Sequence, residues 1–204
     1  MPIIYAMKYS KYNRENLVAA RRIFITAAFV LFAMFRIMPL AAAPRVSEQR
    51  QALITYALKL QGTPYVYGGD SPENGMDCSG FVTYVAANSV GVQLPRTAHS
   101  LYTATKRIKP QEREPGDLVF FKNDPASERI THVGIYCGVY HGKNRAFEGR
   151  RVFVSAVSDG PKTGVQLTLM SQKFWKGHFF AYGRFLPSTK EYNAAVKIKN
   201  EAAK

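Results

Sequence analysis

The sequence predicts an α+β fold in which N-terminal helices pack on an antiparallel β-sheet. Apolar residues recur at helical spacing between residues 53 and 60, whereas five short β-rich segments occupy the second half of the chain. The 204 residues, 47% of them hydrophobic, suffice for one domain with a real core, which argues against a multidomain enzyme and excludes a wholly disordered chain. Two cysteines are too few for a disulfide scaffold or a zinc ribbon.

The first two predicted elements are helices separated by a glycine-rich loop. The first begins at Ser47-Glu48, where a capping residue and an acid suit a helix start, and it ends at Gly62-Thr63-Pro64. Its apolar face consists of Leu53, Tyr56, Ala57 and Leu60. After the loop at 67–75, a second helix is expected from Asp77 or Cys78 to about Gly91.

The predicted strands follow as a meander. They are Leu118–Phe121, Val133–Tyr140, Arg151–Ala156, Val165–Leu169 and Phe179–Leu186. Beyond them, residues 188–204 are polar and rich in lysine, and we expect a basic, flexible tail.

Residues 1–43 have the pattern of a secretory signal rather than of a globular domain. Basic residues precede the apolar run Ile23–Phe35, and small residues at Ala41–Ala43 follow it. We expect cleavage after Ala41 or Ala42 and a secreted or periplasmic mature protein. The alternative is an uncleaved N-terminal anchor, which would be the protein's one attachment to a membrane.

The net charge of +14 indicates a polyanionic partner, such as nucleic acid, anionic lipid or an acidic cell-wall polymer. Six basic residues and one acidic residue lie within 1–43, so the remainder of the chain carries +9. The sequence contains no nucleic-acid-binding motif, and its aromatic residues are not interleaved with the basic ones. We therefore expect no nucleic-acid partner.

Cys78 is a candidate nucleophile because it begins a helix directly after a glycine-rich loop. The helix dipole and free backbone N–H groups there favour negative charge, which predicts a lowered pKa and a thiolate at neutral pH. The same N–H groups could hold an oxyanion. The alternative is a buried structural cysteine. The second cysteine, Cys137, is expected on the opposite strand face from His132 and is not a candidate.

His132 is a candidate general base because it stands at the entrance of an apolar strand, which is a rigid platform. A structural histidine is the alternative. His99, His141 and His178 lie in weaker contexts, and spacing alone does not pair Cys78 with any of the four histidines.

Several strings in order resemble the NlpC/P60 family of cell-wall cysteine peptidases. They are Gly62-Thr63-Pro64-Tyr65-Val66-Tyr67-Gly68-Gly69, Asp77-Cys78-Ser79-Gly80-Phe81, Leu94-Pro95-Arg96-Thr97-Ala98, Pro115-Gly116-Asp117-Leu118-Val119-Phe120-Phe121 and His132-Val133-Gly134-Ile135-Tyr136. The resemblance extends from about Arg45 to Leu186, which places the peptidase domain at residues 44–187.

The resemblance implies a papain-like fold and a thiol protease that hydrolyses peptidoglycan stem peptides, with muropeptides as its partner. We expect the protein to be a monomer. The implied target is the D-γ-glutamyl–diamino-acid bond, and no metal or organic cofactor is implied. By position in the family's motifs, Cys78 is the nucleophile, His132 the general base and Tyr65 the tyrosine that assists near the oxyanion. Asp77 and Ser79 either shape the helix start or meet the substrate amine.

One position departs from the family's pattern. The family places a third polar residue, most often histidine, on a strand after the base, and the counterpart in Phe153-Val154-Ser155-Ala156 is Ser155. We expect its hydroxyl to accept from Nδ1–H of His132, with His141 and Glu148 as alternative orienting residues. A weakened orienter leaves two other functions open: a non-catalytic wall-binding module, or an amidase or acyltransferase that uses the same Cys/His pair.

Overall fold

The computed structural model describes residues 46–202, so the predicted signal segment lies outside the described residues. The helices of this range are α1 (Val46–Lys59), α2 (Cys78–Val90), α3 (Ala98–Ala104), α4 (Lys173–His178) and α5 (Thr189–Ala202). Within residues 46–202, every helix is too short or too polar to cross a membrane.

The strands form a hairpin and one larger sheet. The hairpin pairs β1 (Asp70–Ser71) with β2 (Gly75–Met76). The sheet contains β3 (Lys106–Ile108), β4 (Leu118–Phe121), β5 (His132–Val139), β6 (Arg151–Val157), β7 (Gly164–Leu169) and β8 (Phe179–Arg184). Its order is β3-β8-β4-β5-β6-β7, and all neighbours are antiparallel. The predicted α+β class is therefore confirmed.

The sheet separates two apolar clusters because successive side chains of a strand point to opposite faces. On the face toward α1 and α2, the core includes Leu53, Phe81, Val85, Val133, Ile135 and Val154, all fully buried. On the other face, a smaller aromatic cluster contains Phe121, Tyr136, Phe153, Trp175 and Tyr182. The start of β5 lies between these two clusters, and the candidate site is built there.

A buried ionic network joins the two ends of the domain. Asp117, with no exposed surface, accepts hydrogen bonds from Arg50 of α1 at 3.0 Å and from Arg184 of β8 at 2.7 and 2.8 Å. Arg50 also donates to the backbone carbonyls of Pro115 and Leu186, and Arg184 donates to that of Glu112, so most of the buried guanidinium N–H groups have protein acceptors. The network fixes α1 against the last strand of the sheet.

The C-terminal segment differs from the sequence-based expectation of a flexible tail, because Thr189–Ala202 is helical. The reason is a capping box just before α5: Ser188 N–H donates to the Glu191 carboxylate at 2.8 Å, and Glu191 N–H donates to the Ser188 hydroxyl at 3.1 Å. The same carboxylate also pairs with Lys106 of β3 at 2.7 Å.

Candidate active site

Cys78 is the first residue of α2 and is 8% exposed. The glycine loop packs directly against this helix start, since a Cβ atom on Gly80 would lie 2.1 Å from the carbonyl oxygen of Gly69. The Cys78 thiol lies 4.0 Å from the carbonyl oxygen of Thr131, the residue before β5. The fold thus brings the predicted nucleophile to the entrance of the strand that carries the predicted base.

The helix start is fixed by Asp77, whose side chain caps α2. Its carboxylate accepts from Gly80 N–H at 2.7 Å, from the Ser79 hydroxyl at 2.9 Å and from two nitrogens of Arg96, each at 2.9 Å. Burial alone would raise the pKa of Asp77, but these hydrogen bonds outweigh it and lower the pKa. The carboxylate therefore acts as a permanently charged clamp whose oxygens are already engaged.

His132 opens β5, and its imidazole Nε2 lies 3.0 Å from the hydroxyl oxygen of Ser155 on β6. The sequence predicted a contact between these residues through Nδ1, and that atom assignment was wrong. With Nε2 occupied by Ser155, Nδ1 is the ring nitrogen left for the cleft. Ser155 is fully buried, so its hydroxyl cannot be replaced in this contact by bulk water.

The imidazole of His132 is also held by aromatic packing. Its ring centroid lies 4.8 Å from that of Trp175 and 5.8 Å from that of Phe121. Although part of His132 is exposed in the cleft, its ring is enclosed closely enough that desolvation lowers its pKa to about 4, despite the opposing effect of Asp77. At neutral pH the imidazole is neutral and can accept a proton.

The expected thiolate at Cys78 is not supported by the surroundings of the sulfur. Burial raises the pKa of the thiol to about 11, and the Asp77 carboxylate adds to the rise. The backbone N–H groups of Val133, Ser79 and Cys78 act in the opposite direction but are outweighed. The sequence argument counted the helix start and omitted desolvation and the neighbouring carboxylate, so it predicted the wrong resting protonation state.

Tyr65 lies beside Cys78 and lines the same cleft. Burial raises the pKa of its phenol, and Cys78 and Asp77 add to the rise, while a hydrogen bond with Ser158 acts against it. The hydroxyl is therefore protonated at neutral pH and available as a donor.

The cleft extends to both sides of Tyr65, Cys78 and Thr131. One side, which we call the arginine arm, encloses about 480 Å³ and is lined further by Tyr67, Gly68, Asp77, Ser79, Arg96, Thr97, Ala98, His99, Arg129 and Ile130. The other, the loop arm, encloses about 770 Å³ and is lined further by Asn123, His132, residues 157–162, Gln166, Thr168, Gln172, Phe174 and Trp175. An extended chain could thus lie across Cys78 with groups on both sides.

The structure brings together Cys78, His132, Ser155 and Tyr65 but not the two alternative orienting residues. His141 and Glu148 pair with each other at 2.9 Å in an exposed turn, and neither lines the cleft. Cys137 packs on the core side of β5, away from the aromatic cluster that surrounds His132.

Sequence reasoning missed two residues of the site, Arg96 and Trp175. Arg96 was noticed only as part of a string, and its contact with Asp77 spans 19 positions. Trp175, the single tryptophan of the chain, carried a signal that was not used. Within residues 46–202, there is no group of three or more His, Cys, Asp or Glu side chains able to hold a metal ion.

Comparison with known families agrees with this geometry. The model of the NlpC/P60 family matches residues 62–184, which include Tyr65, Asp77, Cys78, His132 and Ser155. The chain belongs to the NlpC/P60 family. The resemblance stated from the sequence and the papain-like α+β fold that it implied are therefore confirmed.

Individual relatives cover different lengths of this NlpC/P60 chain. It is 39% identical over 134 residues to the bifunctional muramidase/DL-endopeptidase CwlT of Bacillus subtilis (strain 168), a match covering 66% of this chain and 36% of CwlT. It is 33% identical over 153 residues to the murein DD-endopeptidase MepH of Escherichia coli (strain K12), covering 72% of this chain and 51% of MepH.

Among solved structures, a lipoprotein-like NLP/P60 family protein from Staphylococcus aureus Mu50 superimposes with a TM-score of 0.55 at 32% identity, covering 75% of this chain and 47% of that protein. The chain thus spans about a third to a half of the length of the curated relatives described here.

Proposed function

We propose that the protein is a peptidoglycan hydrolase, a cysteine endopeptidase that cuts the stem peptides of the bacterial cell wall. The observation that carries the proposal is the presence of Cys78, at a helix start, in one cleft with the His132–Ser155 pair. The printed names of CwlT and MepH, both endopeptidases, support the reaction class. The proposed bond is the D-γ-glutamyl–diamino-acid amide, in keeping with the DL-endopeptidase name of CwlT.

The proposed reaction starts from a neutral thiol and a neutral imidazole, as their pKa values of about 11 and about 4 require. The sulfur of Cys78 attacks the amide carbon while the thiol proton passes to Nδ1 of His132. Ser155, bound at Nε2, keeps the ring oriented for this transfer. A C–S bond forms and the carbonyl oxygen becomes an oxyanion.

The oxyanion is held by the phenol of Tyr65 and by backbone N–H groups at the start of α2. As the tetrahedral intermediate collapses, the C–N bond breaks and the leaving amine takes the proton from His132. Water then attacks the thioester and gives a proton to the imidazole. The thiol is regenerated when that proton returns to the departing sulfur.

Mass spectrometry of purified muropeptides after incubation with the protein tests this proposal. The wild type should release products whose masses identify the broken bond, and Cys78→Ala should release none while remaining folded. Cys137→Ala is the matched control and should keep its activity, with about 1 kcal/mol of lost stability from a small cavity. Equal product formation by wild type and Cys78→Ala would remove the enzyme hypothesis.

A second bond is favoured by one specific observation, the 33% identity to the DD-endopeptidase MepH. This second bond is the cross-link between two stem peptides, and its cleavage would convert cross-linked muropeptide dimers into monomers with intact stems. Cleavage at the D-γ-glutamyl bond would instead leave a disaccharide dipeptide. The product masses separate these cases. Retention of muropeptide without turnover would instead indicate the binding module. A deamidated product would indicate the amidase, and an acylated product would indicate the acyltransferase.

Export is proposed on the sequence of residues 1–43 alone. The mature protein would act in the cell envelope, where the positive charge outside that segment suits an anionic wall. N-terminal sequencing of the exported protein should begin at Ala42, Ala43 or close by. An intact Met1 in the membrane fraction would instead favour the uncleaved anchor.

A further inference from the structure

Two unlike charges lie on the loop between β6 and β7, which borders the loop arm of the cleft. Asp159 and Lys162 both line this arm, and both are exposed. Among residues 46–202, neither takes part in an ion pair. The Asp159 carboxylate accepts from the adjacent Gly160 N–H at 2.6 Å, and the backbone carbonyl of Lys162 accepts from Gln166 at 2.9 Å. Both charges are thus available to a ligand.

The loop is fixed to the rest of the site at both of its ends. At its start, Ser158 lies close enough to the phenol of Tyr65 to lower the pKa of that group against the larger effect of burial, which raises it. At its end, Val165 N–H donates to the carbonyl oxygen of Thr63 at 2.8 Å, and a Cβ on Gly164 would lie 2.4 Å from that oxygen. The loop that carries Asp159 and Lys162 is therefore held against the segment that carries Tyr65.

The two arms differ in charge, and the difference gives the substrate a direction. The arginine arm has Arg129 in addition to the paired Arg96 and Asp77, so it suits a free carboxylate. The loop arm has one acid and one base three residues apart, so it suits a group that carries both charges at once.

We propose that Asp159 and Lys162 bind a zwitterionic amino-acid end, with its ammonium at Asp159 and its carboxylate at Lys162. Given the proposed function, on which this inference rests, the ligand is the side chain of a diaminopimelate-type residue on the leaving side of the scissile bond. A lysine residue at the same position has an ammonium but no carboxylate. The ammonium group of that lysine would be attracted by Asp159 and repelled by Lys162. The loop therefore discriminates between stem peptides with diaminopimelate and those with lysine at this position.

Two synthetic stem peptides that differ only in the third residue, meso-diaminopimelate or lysine, test this site. We expect wild-type kcat/KM to favour the diaminopimelate peptide by about tenfold, which corresponds to one well-placed charge contact. Lys162→Met should lower the rate on that peptide and reduce the preference, whereas Asp159→Asn should lower the rate on both. Lys143→Met, which removes an exposed lysine outside both arms, is the matched control and should change neither.

Calorimetric binding of both peptides to Cys78→Ala gives a readout that does not depend on turnover. Equal wild-type rates on the two peptides, or an unchanged preference in Lys162→Met, would overturn the inference and leave the proposed function standing. If neither peptide is cut but the diaminopimelate peptide binds selectively, the proposed function fails and the zwitterion site stands. Absence of both cleavage and selective binding would overturn both.

Discussion

At Cys78 the protein combines an activating helix start with a burial that opposes ionisation. Three backbone N–H groups favour the thiolate, but desolvation and Asp77 prevail, and the pKa rises to about 11. At His132, packing against Trp175 holds the pKa near 4. The pair therefore rests as thiol and imidazole. In the proposed reaction it would form charges only when substrate is attacked, in contrast to a preformed thiolate–imidazolium pair.

This resting state predicts the pH dependence of the reaction. Since His132 binds a proton only below a pH of about 4, kcat/KM should fall as the pH drops through that value and remain level through neutral pH. Alkylation of Cys78 by iodoacetamide requires the thiolate, so its rate should keep rising with pH towards about 11. Measurement in Cys137→Ala confines the label to Cys78. Rapid alkylation that is already constant between pH 5 and 7 would contradict the neutral pair.

Ser155 is predicted to have a modest effect because its neutral hydroxyl stabilises an imidazolium only weakly. Ser155→Ala should lower kcat/KM on one muropeptide by about tenfold, or about 1.4 kcal/mol, and far less than His132→Ala does. Ser155→His should not fold well, since the site is fully buried and the Ser155 Cβ lies 3.1 Å from where a Cβ on Gly134 would stand. His141→Ala is the control, and its kcat/KM should be unchanged. A loss of kcat/KM in Ser155→Ala as deep as in His132→Ala would refute the interpretation that Ser155 orients the imidazole only weakly.

At the scale of single elements, α2 depends on the close approach of the glycine loop to its first turn. Gly80→Ala would place a Cβ 2.1 Å from the Gly69 carbonyl oxygen, so the loop or the helix start must move. We expect the midpoint of thermal unfolding to fall, with a loss of stability of about 1–3 kcal/mol, and turnover to fall with it. Gly177→Ala, with no neighbour within 4 Å of its Cβ, is the control for the substitution itself. Unchanged stability in Gly80→Ala would show that the backbone can move apart at the contact between Gly80 and Gly69 without cost.

The elements that sequence patterns predicted are those whose signals are local. Helix α2 follows from a capping residue at Asp77 and a glycine at Gly91 with φ of 69°, and strands β4 to β8 follow from β-rich runs. Helix α5 was missed although Ser188 and Glu191 form a capping box, because lysine content was weighed above that signal. The contacts of Arg96 and Trp175 with the site could not be predicted in this way, since each joins segments far apart in the chain.

Across the whole domain, Asp117 should be the most sensitive charged residue for stability. Asp117→Asn keeps the shape but removes the fully buried carboxylate, so the guanidinium groups of Arg50 and Arg184 keep only the more exposed Glu114 as a counter-charge. We expect urea denaturation to show a loss of about 3–5 kcal/mol. Lys106→Ala, which breaks an exposed ion pair with Glu191, should change the free energy of unfolding far less. Similar losses in the two variants would contradict the assigned importance of the buried network.

The chain's single tryptophan packs 4.8 Å from the imidazole of His132, and this contact makes the cleft optically observable. An imidazolium quenches indole emission by accepting an electron from the excited state, whereas a neutral imidazole does so poorly. Intrinsic fluorescence should therefore show a titration step near pH 4 that disappears in His132→Ala. A ligand that fills the loop arm would also displace water from beside the indole, so the emission maximum reports occupancy in real time without an attached dye.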